Sequence, residues 1–375
     1  GCPMDCSELH SLQTPAECSA ALGSLQSPWL AVHPERCVRL RHRLVECGRC
    51  ADACTGGAIG LEDGVLDVDP RRCVGCGACA TACPTGAFEP LNPDDATLIA
   101  ALLATVPAKE GLPVVECRRR NVSGAVDVVC LGHLGHELLV EMAARGMDGV
   151  VLESGPCERC PLACGAHSCE REVRLALEIL GKLGSRFEVR WSRADAFDEE
   201  SGLLRACDEF PDQVEGDAPA LDLHKTARGT LPQAVPSRRT RLFNSLRRLV
   251  GEGAPDTATC EDAPWGTVEV DRDRCTGCRT CTVFCPTGAL RAAGQKDGEP
   301  WGLEHRGTLC MRCGACEAIC PHGALTVRQG ASLGAFVRGD QTFIELDRPD
   351  WTPNRPDSMF RKWSKLLGGS NMAEY

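Results

Sequence analysis

Three stretches of this chain, CVGCGACATACP (73–84), CTGCRTCTVFCP (275–286) and CMRCGACEAICP (310–321), share the spacing C-x2-C-x2-C-x3-C-P. Three closely spaced thiolates can wrap one cubane iron–sulfur cluster corner by corner, and the fourth cysteine of such a run ligates the cluster of a neighbouring run. Gly75, Gly277 and Gly314 let the backbone approach the sulfurs, and the proline after the last cysteine turns the chain away. Zinc knuckles separate their cysteine pairs by a longer loop, so zinc fits this spacing poorly.

Composition agrees with metal ligation. The chain has 27 cysteines in 375 residues, an odd number, and only 4 % aromatics. Such density in a long chain points to metal rather than to the disulfide scaffold of a short secreted domain. Inorganic clusters would occupy core volume that aromatic side chains otherwise fill. A net charge of −11 argues against nucleic acid as the main partner. The longest apolar run, LIAALLATV (98–106), is half the roughly 18 residues of a membrane span. No secretory signal is visible, and the expected location is cytoplasmic.

A fourth run is irregular. Cys47, Cys50 and Cys54 have the C-x2-C-x3-C spacing, but Leu44 stands where the first ligand belongs. The leaders DPRRC, ending at Cys73, and DRDRC, ending at Cys275, correspond to HPERC, ending at Cys37. Downstream, CTGGAI after Cys54 matches CPTGAF and CPTGAL. Cys37 is therefore expected as the displaced first ligand, with VRLRHRL looping out as an insertion of about two helical turns. Thr55 replaces the usual proline.

Residues 35–92 and 265–330 each resemble bacterial ferredoxins with two [4Fe-4S] clusters. The resemblance implies α+β ferredoxin-like modules and crossed ligation. Cys37, Cys47, Cys50 and Cys83 would hold one cluster, and Cys73, Cys76, Cys79 and Cys54 the second. Cys275, Cys278, Cys281 and Cys320 would hold a third, and Cys310, Cys313, Cys316 and Cys285 a fourth.

The two modules flank a region, 93–200, with the pattern of an α/β domain around a small parallel sheet. Asn92-Pro93-Asp94-Asp95 has the form of a capped helix start, followed by Leu98, Ile99, Leu102 and Leu103 on one face. The runs 112–117, 125–130, 148–154 and 187–191 are predicted strands, with helices over 136–146 and 171–180. Ligands in such sheets sit beyond the carboxyl ends of the strands, where Cys117, Cys130, Cys157 and Cys160 would converge. The stretch from Val128 to Cys160 also looks like the iron–sulfur domain of the delta subunit of heterodisulfide-reductase-associated hydrogenase, which implies a two-iron cluster. Cys157, Cys160 and Cys164 copy the spacing of Cys47, Cys50 and Cys54, so a four-iron cluster completed by Cys117 or Cys130 is equally open. His133 and His136 are weaker candidates as imidazole ligands.

Residues 1–34 form a cysteine-containing segment. Residues 201–264 have a linker composition around the basic amphipathic stretch 237–250, and 331–375 has the character of a docking tail rich in Trp and Arg. Cys2, Cys6, Cys18, Cys169, Cys207 and Cys260 receive no role. No dinucleotide fingerprint, phosphate loop or catalytic triad is present. The expectation is a polyferredoxin-like electron-transfer subunit of anaerobic metabolism. It would serve a hetero-oligomeric complex of the heterodisulfide-reductase, hydrogenase or formate-dehydrogenase kind, with catalytic and other redox subunits as partners. The alternative is an iron–sulfur protein with its own catalytic or redox-sensing site at the central cluster.

Overall fold

A computed structural model describes residues 29–350, apart from 62–64, 106–110, 119–123, 156, 158–159, 161–163, 194–202, 206–232, 252–255, 257 and 295–297. Cys2, Cys6, Cys18, Cys207 and the aromatic arm with Trp351, Phe360 and Trp363 lie outside the described residues. The chain divides into two compact units, Gly1–Leu40 with Cys47–Gln213, and Arg41–Glu46 with Val214–Tyr375. No helix among the described residues is long and apolar enough to cross a membrane.

In the first unit, four short strands frame the first pair of cysteine runs: β1 (Leu30–Val32), β2 (Ile59–Gly60), β3 (Asp67–Val68) and β4 (Phe88–Pro90). β1 pairs antiparallel with β4, and β2 with β3. Each pair therefore ties the approach to one run to the exit from the other. Between them the thiols belong to the core itself, because Cys37, Cys50 and Cys79 are buried together with Leu30, Leu66, Val68 and Phe88.

The helix Asp95–Thr105 follows. Its cap is Asp94, whose carboxylate accepts from Thr97 N at 2.6 Å, rather than the expected Asn92. Leu98, Ile99 and Leu102 are buried as expected, whereas Leu103 is 38 % exposed. It lies one residue, about 100° of helical rotation, beyond Leu102.

The central sheet comprises β5 (Val114–Cys117), β6 (Val126–Val128), β7 (Gly149–Ser154), β8 (Glu188–Arg193) and β9 (Leu203–Arg205), in the order β6-β5-β7-β8-β9. The first four are parallel, as the alternating pattern implies, and β9 closes the edge antiparallel within sequence expected as linker. The helix His136–Ala144 buries Leu138, Leu139 and Met142 and ends ahead of Gly146, whose φ of +85° suits the left-handed stop. The next helix, Cys164–Lys182, begins earlier than its apolar stripe suggests.

The second unit repeats the strand frame. It contains β10 (Thr267–Val270), β11 (Leu290–Ala293), β12 (Gly302–Arg306), β13 (Leu325–Arg328) and β14 (Gln341–Glu345). β10 pairs with β13, and β12 lies between β11 and β14. Two expected boundaries move here. The helix Ser237–Val250 is part of this unit, with Leu242, Phe243 and Leu246 buried, because its apolar stripe finds Phe336 and the surrounding core. The expected tail contributes the helix Leu333–Arg338 and then β14, which satisfies its backbone against β12.

Arg41–Glu46, which begins inside the insertion after Cys37, also groups with this unit, where the His42 ring meets Phe284 edge-on at 4.8 Å.

Trp265 anchors the core of the second unit. It is fully buried, its ring lies 4.3 Å from Phe336, and its Nε1 donates to Ala331 O at 3.2 Å. Trp265→Ala should destabilise this unit by about 3–5 kcal/mol through the cavity it leaves. Heating anaerobic protein should then bleach the cluster absorbance at a clearly lower temperature than in wild type.

Candidate metal centres

One backbone hydrogen bond recurs four times and sorts the cysteines. His33 N donates to Ala87 O at 2.8 Å, Asp69 N to Ala58 O at 2.8 Å, Asp271 N to Ala324 O at 2.9 Å and Arg306 N to Ala289 O at 2.9 Å. In every case the donor lies four residues before a first cysteine, and the acceptor four residues after a last one. The pairs are crossed: Cys37 with Cys83, Cys73 with Cys54, Cys275 with Cys320, and Cys310 with Cys285. Cys37 thus occupies the same structural position as the three regular first cysteines, despite the insertion behind it. Its entry turn, closed by Cys37 N to Pro34 O at 3.0 Å, matches that of Cys310, closed by Gly307 O at 3.0 Å. Cys73 and Cys275 instead donate to Asp69 O and Asp271 O at 2.9 Å.

The thiols group in the same way. Burial, then the neighbouring Cys83, Cys37 and Cys47, push the Cys50 thiol up to about 12. Burial, then Cys76, Cys73 and Cys54, raise Cys79 well above the usual thiol range, and these four cysteines line one cavity. Cys281 is raised by burial and by Cys278, Cys275 and Cys320, which line another cavity with it. Cys316 is raised by burial and by Cys310, Cys313 and Cys285.

Four thiols crowded in an apolar pocket cannot all ionise unaided, because burial and mutual repulsion both oppose it. A bound metal reverses that balance by taking them as thiolates. The donor sets therefore fit iron–sulfur clusters.

The peptide around the sulfurs fits as well. Ala58 N donates to Cys54 Sγ, Ala87 N to Cys83 Sγ and Ala324 N to Cys320 Sγ, each at 3.3 Å. Replacement of proline by Thr55 leaves this turn intact. The tryptophans packed on two cluster loops were not foreseen. A Cβ at Gly75 (φ +71°) would lie 2.9 Å from the Trp29 ring. One at Gly277 (φ +67°) would overlap Asp347 O and come within 3.3 Å of Trp301 Nε1. Trp301 Nε1 donates to Gly277 O at 3.0 Å, and Arg279 stacks on the Trp301 ring. The available signal was the glycine between the first two cysteines of both runs, which is where an indole can close down on the loop.

In the central domain, Cys117, Cys130, Cys157 and Cys160 line one cavity at the carboxyl edge of the sheet, backed by Trp191. Gly155 N donates to Cys117 Sγ at 3.1 Å, and Trp191 Nε1 to Ser154 Oγ at 3.1 Å. Burial pushes the Cys130 thiol up to about 12, against a hydrogen bond from Gly132 N and with the help of Cys76, Cys117 and Cys157. This cavity therefore neighbours the set that contains Cys76. Thr81 Oγ1, in the helix Ala78–Ala82 of that set, donates to Gly132 O at 2.9 Å.

Cys164 opens its helix, but its side chain lies outside the described residues. Cys169 and Cys260 are fully buried. The two histidines are engaged elsewhere: His133 Nε2 faces Asp95 Oδ1 at 3.1 Å, and His136 Nδ1 faces Glu172 Oε2 at 2.6 Å. Burial opposes ionisation of Glu172, yet the bond to His136 holds its carboxyl below the usual range. His136, Glu137 and Glu172 do converge closely enough to hold a cation. However, the two carboxylates face opposite nitrogens of the ring, an arrangement that ion pairing explains by itself.

A family model of the 4Fe-4S dicluster domain matches residues 43–87 and 274–324. The matches take in both cysteine-rich regions but begin after Cys37, and they do not include the central sheet. No curated protein matches the chain. Two dicluster regions flanking a small parallel sheet make this an iron–sulfur electron-transfer protein.

Proposed function

We propose that the chain is a multi-cluster relay subunit of a larger cytoplasmic oxidoreductase complex. It would carry four [4Fe-4S] clusters in the crossed ligand sets given above. A fifth cluster, [2Fe-2S] or [4Fe-4S], would be held by Cys117, Cys130, Cys157 and Cys160. When bound, such clusters supply one-electron carriers whose potentials follow charge, burial and hydrogen bonds to sulfur. The residues of this chain would fix their spacing, exclude water and donate the sulfur hydrogen bonds.

The observation that carries the reading is continuity. The crossed backbone bonds interlock each pair of thiol sets, and the central cavity abuts the set containing Cys76. The cysteines of that cavity can supply all four protein ligands of a cluster, which favours relay over substrate chemistry at an open iron. Partners of the heterodisulfide-reductase, hydrogenase or formate-dehydrogenase kind would supply the catalytic site, and the delta-subunit likeness of 128–160 favours the first two.

Anaerobically isolated protein should contain about 16 irons, or about 18 to 20 with the central cluster. Artificial dyes should reduce it without substrate turnover, and catalytic subunits should co-purify. Iron near 12 or below would overturn the four-cubane reading, and turnover by the isolated chain would overturn the relay.

A further inference from the structure

The helix Ser237–Val250 is strongly basic, and an ordinary amphipathic helix would turn its arginines to water. Instead Arg239 is only 2 % exposed. Its Nε donates to Met311 Sδ at 3.1 Å, a terminal nitrogen donates to Pro264 O, and the guanidinium lies 5.4 Å from the centre of the Phe336 ring. Met311 directly follows Cys310, so a permanent positive charge is held beside the fourth thiol set in a low-dielectric setting. Burying a guanidinium carries a desolvation cost that surface placement would avoid. Gln233, just upstream, donates from Nε2 to Cys285 O at 3.1 Å, so the same segment also supports a second member of that set.

We propose that Arg239 is a potential-setting residue: its buried charge raises the reduction potential of the cluster held by Cys310, Cys313, Cys316 and Cys285. The inference rests on that ligand assignment. The sign follows from charge balance. Reduction adds one electron and no proton to the cluster, so the reduced form is more negative, and a nearby fixed cation favours it. Burial alone acts in the opposite direction, because it penalises the more highly charged form. Arg239 therefore keeps a deeply buried cluster reducible.

The test is a redox titration of full-length anaerobic protein followed by electron paramagnetic resonance. The signal of this cluster is first identified as the one lost or altered in Cys313→Ser. In Arg239→Met, which retains apolar packing on Phe336, that signal should titrate at a lower potential with iron content unchanged, while the others stay in place. Arg239→Lys, which retains the charge, should lie near wild type. Full iron with unmoved potentials in Arg239→Met overturns the proposal. If the Met variant loses iron, Arg239→Gln and Arg239→Lys decide: a lower potential in Gln supports the proposal, and equal potentials overturn it. Cys313→Ser with every signal intact would show that the ligand assignment itself had failed.

Discussion

Cys37→Ala should remove one cluster, or convert it to a three-iron form, and leave the cluster pair of the second unit untouched. The expectation rests on the leader repeat and on backbone geometry, since the dicluster match begins after Cys37. His33 N to Ala87 O is the fourth instance of the bond that fixes each first cysteine opposite its crossed partner. Cys37 is 8 % exposed and stands beside Cys50, whereas Leu44, at the position the regular spacing would assign, is 50 % exposed. Of about 16 irons, the variant should lose about four, or about one if a three-iron form persists. The paramagnetic signals assigned to Cys275–Cys320 should remain. A variant with unchanged iron and spectra would mean that a ligand other than Cys37 completes the set.

The spacing that made the cysteine runs legible in sequence is legible because it is local. Three ligands within seven residues need no tertiary information, and the leader repeat was enough to nominate Cys37. The parallel strands were visible for the same reason, as short β-branched runs between amphipathic segments. What surrounds the clusters was not visible, because it is brought together from far along the chain. Trp29 reaches Gly75 across 46 positions, and Trp301 reaches Gly277 across 24. Nothing in the local pattern of either tryptophan announces a partner.

Composition misled where polar stretches were equated with linkers. The segment before Cys275 contains the helix Ser237–Val250, which packs within its own unit and buries Arg238 and Arg239 along with its apolar stripe. Likewise β14 is mostly exposed, with Phe343 at 45 %, and it resembles a tail because its order comes from backbone pairing with β12 rather than from side-chain burial. The insertion after Cys37 shows the same limit. Its length could be counted from sequence, but its grouping with the second unit, through His42 and Phe284, could not.

The central site yields the second large expectation. Gly165→Ala should abolish the cluster proposed for Cys117, Cys130, Cys157 and Cys160 while sparing the other four. A Cβ at Gly165 would lie 2.2 Å from Cys130 Sγ, a distance that only displacement of the sulfur can relieve. Gly165 is the second residue of the helix Cys164–Lys182, where alanine is fully compatible with the backbone, so the helix itself is not impaired. The loss is therefore assignable to the thiol rather than to unfolding, and normal thermal stability of the variant checks that directly. Iron should fall by about two for a [2Fe-2S] centre or about four for a [4Fe-4S] centre, which decides the cluster type as well as its existence. Because Cys76 lies near Cys130, the signal of the cluster assigned to Cys73, Cys76, Cys79 and Cys54 should also lose any spin coupling to the central centre. Cys130→Ser should reproduce both changes. If Gly165→Ala and Cys130→Ser both retained wild-type iron and spectra, the four central cysteines would be packing residues of the sheet edge, and the relay would consist of the two dicluster modules alone.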